Sequence, residues 1–316
     1  MTRACNLRCS YCPTAKDGWP SLTAADARAA VDLFADRYGG GDIKLFGGEP
    51  LLVPDVVRAA MDRAAARPEI RRVYLSTNGL GLDGDWLDYL AGYPKGILTI
   101  SMDGKPDDHR RFRRTLSGVA DTYDHLMGLL PRLLQTPRLV ITQTIAPATA
   151  ARAADNFRHL LGLGFRRFNL LPGYYIPWRT EQIASLKASF SDIRAELEGR
   201  WAADRYTYLR NLFTWAPTPF FNTGMVVDAD RSIHPSNIGL SGALDHLLEQ
   251  TRVGTLDAPP SQAALRAKAE AVNGILQSAL SEKVRQSTAA VDAELTALCQ
   301  SLYPAFVAYR RRRGAA

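Results

Sequence analysis

Three cysteines crowd the first twelve residues of the chain, at Cys5, Cys9 and Cys12, and the remaining cysteine is Cys299. Their spacing supplies three thiolates from one short loop, which can wrap a compact inorganic centre. A structural zinc site takes four protein ligands, and the first histidine of the chain is the distant His109. A four-iron cluster normally takes four cysteines, so three would leave one iron open to another ligand. A structural metal knuckle and three buried thiols stay open as alternatives.

The elements that must position these thiols alternate between strand and helix up to about residue 200. Short apolar runs, typical of buried parallel strands, occupy 42–46, 72–76, 97–101, 139–144 and 167–171. Amphipathic stretches predict helices at 23–38, 53–67, 84–93, 118–134 and 149–164. This alternation predicts a parallel α/β architecture, either an open sheet or a complete or incomplete (β/α) barrel, with its chemistry at the carboxyl ends of the strands.

Composition restricts the class of protein. The 316 residues are 46% apolar and 22% charged, which is typical of a folded globular protein. The net charge of +7 includes the terminal run Arg310–Arg313, which we interpret as a solvated helix end, so nucleic acid and membrane are disfavoured as partners. Clustered cysteines do not fit a secreted disulfide framework. With no signal pattern or long apolar run, we expect a cytoplasmic location.

Polar motifs follow three of the predicted strands, at the ends where a barrel places its active site. The motif residues are Gly47, Gly48, Glu49 and Pro50 after the first strand, Ser76 and Asn78 at the second, and Ser101 and Asp103 at the third. Taken alone, each motif also fits an ordinary turn. Together with the cysteine spacing and "CNLRC", they resemble the radical S-adenosylmethionine (radical SAM) superfamily in type and order.

This resemblance implies the cofactors and the residues that bind them. Cys5, Cys9 and Cys12 would hold a 4Fe-4S cluster whose fourth iron binds S-adenosylmethionine. Reductive cleavage then gives a 5'-deoxyadenosyl radical that abstracts hydrogen from a substrate. The implied contacts to S-adenosylmethionine come from the motifs: Gly47, Gly48 and Glu49 at its ammonium group, with Pro50 fixing the turn, and Ser76, Asn78, Ser101 and Asp103 at its ribose or carboxylate.

The stretch after the third predicted strand indicates a branch of the superfamily. His109 and Arg113 follow Ser101 in the pattern S-x-D-G-x4-H-x3-R, which resembles the peptide-modifying branch with a C-terminal SPASM or twitch extension. There the arginine would bind the carboxylate of S-adenosylmethionine. The alternative is a solvated helix face that carries both residues.

The regular alternation of predicted strands and helices ends at about residue 200. Segments 205–215 and 223–237 predict a pair of extended segments joined by a Pro-rich stretch, and 257–311 predicts helix. Ser236 stands where the branch has a cysteine for an auxiliary cluster, and Cys299 alone cannot hold one. With this resemblance we predict a partial (β/α)6 TIM-like barrel at 1–200 and a cluster-free, twitch-like α+β extension at 201–316. His234 is either a replacement ligand, an acid or base, or a satisfied histidine.

The substrate is the least determined part of the prediction. Tyr174, Tyr175 and Trp178 follow the last predicted strand and form either a pocket wall or a packing interface. A peptide or natural-product precursor is the first hypothesis, and a sugar or amino acid is the second. A non-catalytic iron-sulfur redox sensor is the third, although it would not need the GGEP motif. An enzyme would also need an electron donor of the flavodoxin or ferredoxin type.

The start of the chain carries one more expectation. In the family a full strand precedes the cysteine loop, and here the first barrel strand is largely absent because the chain begins at Met1. Either the start site is placed too far downstream or the barrel is truncated. We expect the former, because an open sheet edge would leave the cluster loop unsupported.

Overall fold

The computed structural model describes residues 1–116, 118–214, 224–237 and 242–314. The strands are β1 (Gly41–Leu45), β2 (Ile70–Thr77), β3 (Gly96–Ser101), β4 (Val140–Ile145), β5 (Arg167–Pro172), β6 (Tyr208–Leu209), β7 (Val226–Val227), β8 (Ser232–His234) and β9 (Gly254–Thr255). The α-helices are α1 (Ala24–Tyr38), α2 (Pro54–Ala65), α3 (Gly84–Ala91), α4 (Pro106–Phe112), α5 (Thr122–Gly128), α6 (Leu130–Leu133), α7 (Ala153–Gly162), α8 (Thr180–Ala202), α9 (Leu248–Thr251), α10 (Gln262–Ala279) and α11 (Glu282–Arg312).

The sheet confirms the predicted α/β fold. Strands β1 to β6 form one sheet in chain order, and β1 pairs with β2, β2 with β3, β4 with β5 and β5 with β6 in parallel. Strands β1 and β6 lie at its two ends, so the described sheet is open. Helices connect successive strands, as parallel pairing requires. The architecture is that of a partial (β/α) barrel.

The chain divides into two compact units. The first unit, as far as it is described, comprises Met1–Ile100, Arg113–Leu139 and Pro219–Leu280. The second comprises Ser101–Phe112, Val140–Thr218 and Ser281–Ala316. The predicted division at residue 200 into a barrel and an extension stays a prediction.

Each unit has its own apolar core. In α2, Val57, Met61 and Ala64 are fully buried, and they recur at the three- and four-residue spacing of one helix face. In the second unit Phe157 of α7 meets Phe168 of β5 edge to face, with 4.8 Å between the ring centroids. Apolar burial of this kind supplies most of the stabilisation that holds helices on a sheet.

The polar ends of the predicted helices are capped as their sequences indicate. Thr23 and Asp26 form a capping box at the start of α1, and Gly39 ends that helix with a φ of 79°. Asp83 caps α3 through the N–H of Trp86. These caps explain why the helices begin and end close to the predicted positions.

Two segments differ from the sequence prediction. The predicted helix 118–134 is divided into α5 and α6, and Pro131 lies in the first turn of α6, where its missing N–H costs no hydrogen bond. In the described residues of segment 205–215 the extended part is short: Tyr208–Leu209 extend the parallel sheet beside β5, and a 3-10 helix follows at Arg210–Phe213.

The later part of the chain carries a small second sheet. Strand β7 pairs with β8, and β8 with β9, both antiparallel, so segment 223–237 contains a hairpin of its own around a turn at 228–231. The predicted helical region 257–311 is confirmed by α10 and α11. The Pro-rich stretch 216–221 lies outside the described residues. In the ranges that the structure covers, no helix has the length and apolar character of a membrane span.

Candidate cofactor site

The three thiols lie on the loop that precedes α1, in the first unit. All three cysteines are half-buried, and none of the three is in a disulfide bond. The N–H of Leu7 donates to Cys5 Sγ at 3.4 Å, and the N–H of Cys12 donates to the carbonyl of Cys9 at 3.1 Å. The loop therefore turns back on itself between Cys9 and Cys12.

This cysteine loop is fastened to the segment that follows α4. Leu7 forms a bridge with Thr115, and the N–H of Arg8 donates to the carbonyl of Arg114 at 2.8 Å. These backbone hydrogen bonds join residues more than a hundred positions apart. A loop that carries metal ligands gains a defined shape from such contacts before any metal binds.

The electrostatic surroundings of the thiols differ. Burial raises the pKa of Cys5. Burial also acts to raise the pKa of Cys12, but hydrogen bonds with Thr14 and the charge of Lys16 outweigh it and lower that pKa. Three thiols with a neighbouring cation are a suitable donor set for an iron-sulfur centre, which binds thiolates. Among the described residues, no three His, Cys, Asp or Glu side chains surround one point as ligands of a single metal ion.

The two glycines of GGEP lie directly against the segment that leads into the cysteine loop. The N–H of Gly48 donates to the carbonyl of Thr2, and the N–H of Glu49 to the carbonyl of Ala4, both at 2.8 Å. A Cβ on Gly47 would lie 2.2 Å from the Thr2 oxygen, and one on Gly48 2.1 Å from the Ala4 oxygen. The close approach that these glycines allow is therefore an approach to the cysteine loop.

Glu49 joins the ends of β1 and β2. Its side chain is 1% exposed, and its Oε1 accepts from the N–H of Leu51 at 3.0 Å and from Thr77 Oγ1 at 2.7 Å. Its Oε2 accepts from the N–H of Asn78 at 2.7 Å. Burial raises the pKa of Glu49, and these hydrogen bonds oppose that rise. Pro50 follows as the first residue of a 3-10 helix. Glu49 thus links the GGEP motif to the Ser76–Gly79 motif by hydrogen bonds. Sequence spacing did not indicate this role.

Asn78 continues this hydrogen-bonded connection to the cysteine loop. Its Nδ2 donates to Asn6 Oδ1 at 2.8 Å and lies 4.0 Å from Cys5 Sγ, while its Oδ1 accepts from the N–H of Leu80 at 2.9 Å. Ser76, the residue before the last of strand β2, is half-buried. The first unit therefore brings together the cysteine loop, GGEP and the Ser76–Gly79 motif.

His109 and Arg113 are both buried, so the alternative of a solvated helix face is wrong. In the first unit Arg113 is 7% exposed, its guanidinium lies 5.5 Å from the centroid of the Tyr11 ring, and its charge acts to lower the pKa of Glu49. In the second unit His109 is fully buried, and its Nδ1 accepts from the N–H of Asp103 at 3.3 Å. Sequence reasoning placed Arg113 at the cofactor, and the structure places it in the same unit as the thiols.

Ser101 and Asp103 belong to the second unit. Ser101 is the last residue of β3 and is half-buried. Asp103 is 4% exposed, and its Oδ1 accepts from the N–H of Thr144 at 3.2 Å. This carboxylate thus fixes the carboxyl end of β4. A contact of either residue with S-adenosylmethionine stays a prediction.

Of the three aromatic residues after β5, Trp178 has a packing role. It is 4% exposed, its Nε1 donates to the carbonyl of Gly173 at 2.7 Å, and its N–H donates to Ser287 Oγ of α11 at 2.9 Å. Trp178 therefore fastens the loop after β5 to α11. Tyr175 in the same loop has a φ of 66°, a conformation that residues with a side chain rarely adopt.

Tyr174 belongs to a polar cluster that sequence reasoning did not foresee. Its Oη donates to Asp292 Oδ1 at 3.4 Å. Thr288, Asp292 and Cys299 are separated by four and seven residues in α11 and so share one helix face. Burial raises the pKa of Asp292 to about 6 and that of Cys299 to about 12. The Thr288 hydroxyl is buried without a hydrogen-bond partner. We call these four residues the α11 polar cluster.

The segment that resembles an auxiliary cluster site is organised by hydrogen bonds. Ser236, in place of the cysteine, is 2% exposed. The two ring nitrogens of His234 lie 2.8 Å from Ser232 Oγ and 3.0 Å from Thr251 Oγ1. His234 is therefore the satisfied histidine among the alternatives that the sequence left open.

The chain carries a domain that matches the family model "Radical SAM superfamily" over residues 1–133. The α/β fold and the cysteine loop are consistent with this likeness. The predicted cofactors, a 4Fe-4S cluster and S-adenosylmethionine, are those of the superfamily. The three thiols on one loop and the motifs joined beside them fit both groups.

Two curated relatives each match less than half of the chain. The GTP 3',8-cyclase of Chlorobaculum tepidum is 36% identical over 147 residues, which are 45% of this chain and 41% of the relative. The pre-heme d1 synthase of Dinoroseobacter shibae is 35% identical over 131 residues, covering 40% and 30% of the two chains. The chain thus spans less than half the length of these relatives.

Solved structures match over more of the chain. The structure titled "Native anSMEcpe with bound AdoMet" has a TM-score of 0.72 at 15% identity and covers 98% of this chain and 97% of its own. That of Streptococcus suis SuiB bound to the precursor peptide SuiA has a TM-score of 0.59 at 12% identity, with 92% and 68% covered. At these identities the likeness shows a shared fold.

Proposed function

We propose that this protein is a radical SAM enzyme that cleaves S-adenosylmethionine reductively and abstracts hydrogen from a peptide or natural-product precursor. The observation that carries the proposal is the hydrogen-bonded connection from the cysteine loop through Asn78 and Glu49 to GGEP. A loop that merely stored a metal would not require this second motif beside it. The non-catalytic redox sensor is therefore disfavoured.

The residues of the first unit have separate tasks in this proposal. Cys5, Cys9 and Cys12 hold the 4Fe-4S cluster, which, when bound, supplies the electron that cleaves S-adenosylmethionine to methionine and a 5'-deoxyadenosyl radical. Glu49 positions GGEP against the cysteine loop, because protein donors occupy both of its carboxylate oxygens. Arg113 carries the positive charge that suits a carboxylate ligand. A buried site of this kind excludes water and orients the reacting groups.

The contacts proposed at S-adenosylmethionine are those that the motifs imply. Backbone carbonyls of Gly47 and Gly48 serve its ammonium group, and Ser76 and Asn78 its ribose or carboxylate. Ser101 and Asp103 are proposed as further ligands. The cytoplasmic location and an electron donor of the flavodoxin or ferredoxin type remain parts of the proposal.

The substrate side is proposed for the second unit. The α11 polar cluster offers a carboxylate, two hydroxyls and a thiol next to the carboxyl end of β5. Because Asp292 has a single long hydrogen bond to Tyr174 among the described residues, it can accept from an N–H or O–H group of a ligand. The peptide hypothesis is supported by the likeness to SuiB, whose structure was solved with a bound precursor peptide.

A small-molecule substrate is the second candidate. The curated relative in Chlorobaculum tepidum is named GTP 3',8-cyclase, and the match covers 41% of its length. The region that the family model matches contains the thiols and GGEP, which supports shared cofactors more than a shared substrate. Consumption of GTP would favour this candidate.

The test is anaerobic reconstitution with iron and sulfide, followed by S-adenosylmethionine and dithionite. We expect 5'-deoxyadenosine above background, measured by chromatography with mass detection. Cys9→Ala serves as the matched control, because it removes one of the three thiols. No 5'-deoxyadenosine from an iron-loaded wild type would contradict the proposal. Adding GTP, in a parallel reaction, separates the two substrate hypotheses.

A further inference from the structure

The cysteine loop is preceded by a fully buried charge. Arg3 is 0% exposed, its Nε donates to Asp228 Oδ1 at 3.2 Å, and its Nη2 forms a second bond with Asp228 Oδ2. The guanidinium also lies over Trp19, 3.4 Å from the ring centroid, and its Nη1 is 3.5 Å from a carboxylate oxygen of Asp245. A bidentate, stacked arginine has one favoured position, so this contact fixes the backbone of Arg3.

The carboxylate that binds Arg3 is itself held by the hairpin of β7 and β8. Its Oδ1 accepts from the N–H of Ala229 at 2.6 Å. The N–H of Asp228 donates to the carbonyl of Ser232, and its carbonyl accepts from the N–H of Arg231, at 2.9 and 3.0 Å. Asp228 is thus the first residue of the hairpin turn, and the hairpin fixes its position. This is the segment in which Ser236 replaces the auxiliary-cluster cysteine.

The segment Thr2–Ala4 is therefore held from two directions. GGEP binds the carbonyls of Thr2 and Ala4 through backbone hydrogen bonds, and Asp228 binds the side chain of Arg3 between them. Cys5 follows at once. A shift of Arg3 would move the first thiol relative to GGEP.

We propose that Asp228 is a positioning residue for the cysteine loop, and that the hairpin of β7 and β8 holds this loop in place through Arg3. In relation to the cluster, this inference rests on the proposed function. The contribution of the hairpin is mechanical and electrostatic: it needs no metal of its own. This gives a segment without auxiliary-cluster ligands a task in the primary site.

The experiment compares two Asp→Asn variants of the full chain. Asp228→Asn keeps the shape of the side chain and removes the charge that pairs with Arg3. Asp257→Asn is the matched control, because Asp257 pairs with Arg231 at the surface of the same unit. Hydrogen exchange of residues 2–12 is measured by mass spectrometry in the metal-free protein, with α7 as an internal reference. Iron content and the electron paramagnetic resonance (EPR) spectrum are measured after reconstitution.

We expect Asp228→Asn to raise the exchange rate of residues 2–12 at least tenfold, with α7 and Asp257→Asn unchanged. The reconstituted variant should hold less iron and give a broader EPR signal than wild type. Arg3→Lys, which keeps the charge but loses the bidentate contact, should show an intermediate increase in exchange. These results would support the inference.

Equal exchange of residues 2–12 in Asp228→Asn and Asp257→Asn would overturn the inference. If Asp228→Asn also raises the exchange of α7, the variant unfolds globally, and the comparison of Arg3→Lys with wild type decides: unchanged exchange overturns the inference, and an increase confined to residues 2–12 supports it. Because exchange is measured without metal, it does not depend on cleavage of S-adenosylmethionine. A wild type that binds no iron would contradict the proposed function alone.

Discussion

Two carboxylates, the buried Glu49 of the first unit and the half-buried Asp292 of the second, are held in different ways. Glu49 accepts three hydrogen bonds at 2.7 to 3.0 Å, whereas Asp292 accepts one from Tyr174 at 3.4 Å among the described residues. Burial raises the pKa of both. The fold uses the hydrogen-bonding capacity of Glu49, while much of that of Asp292 stays available for a ligand.

The region matched by the family model shows the same contrast. Residues 1–133 contain Glu49 and the three thiols, and the α11 polar cluster lies beyond them. The superfamily likeness therefore covers the part of the molecule whose polar groups are joined to one another. What distinguishes this chain in its substrate should be sought in the second unit.

The largest effect should come from the two kinds of cysteine. Cys9→Ala removes a thiol of the loop, and we expect reconstituted iron to fall severalfold and 5'-deoxyadenosine to drop to background, because two thiols hold a cluster poorly. Cys299→Ala, in the α11 polar cluster, should leave iron content unchanged. Equal iron loss in both variants, measured by a colorimetric iron assay, would refute the distinction between the two regions.

Glu49→Gln should be the most destabilising of the carboxylate variants. The amide that replaces the carboxylate would place an N–H group where an oxygen of Glu49 accepts hydrogen bonds. A buried donor would then lose its acceptor, which costs about 2–3 kcal/mol in the free energy of unfolding. Urea unfolding followed by tryptophan fluorescence measures this. Glu270→Gln, at an exposed position of α10, is the control and should change stability by less than about 0.5 kcal/mol. A similarly small change in Glu49→Gln would show that the hydrogen bonds accepted by Glu49 are not needed for stability.

Asp292 should make stability depend on pH. Its pKa is raised from 3.8 to about 6 in the folded protein, so its folded state holds a proton more tightly than its unfolded state does. The stabilising contribution of protonated Asp292 to the free energy of unfolding is full below about pH 4. It is lost as the pH rises through 6. Because the side chain is half-exposed, we expect a loss of about 1 kcal/mol. Unfolding of Asp292→Asn between pH 4 and 7 should lack this loss.

The control for this pH profile is Asp192→Asn, since Asp192 is exposed on α8. Its profile should follow that of wild type. An unchanged profile in Asp292→Asn would mean that Asp292 is as well solvated as a surface carboxylate, and the contrast with Glu49 would fail.

Thr288→Val should have the smallest effect and the opposite sign. It replaces a buried hydroxyl without a partner by a methyl group of the same shape, so we expect unfolding to become up to about 1 kcal/mol more costly. Thr296→Val, at an exposed position of α11, is the control for side-chain shape. A loss of stability in Thr288→Val would show that the hydroxyl is hydrogen-bonded in solution.

Local sequence patterns predicted the strands and the motifs, because strand and turn preferences act over a few residues. The apolar run 167–171, for example, corresponds to β5 at Arg167–Pro172. Glu49 and Thr77 meet because parallel pairing sets Leu45 opposite Leu75. That meeting depends on register, which the sequence of either strand alone does not contain.

Longer-range contacts were beyond such reasoning. Arg3 and Asp228 are 225 positions apart, and neither lies in a motif that singles it out as a partner of the other. The error at 205–215 has a related cause: with two paired residues, β6 is too short for periodicity to show which sheet it joins. The α11 polar cluster was missed because its residues come from a helix and from a loop far apart in sequence.

The central claim is that three thiols of the first unit hold a cluster with one iron open to S-adenosylmethionine. EPR of the reconstituted, dithionite-reduced protein, recorded before and after addition of S-adenosylmethionine, tests it most directly. The account predicts a reduced 4Fe-4S signal whose g-values shift when S-adenosylmethionine is added. A cluster signal that S-adenosylmethionine leaves unchanged would contradict it.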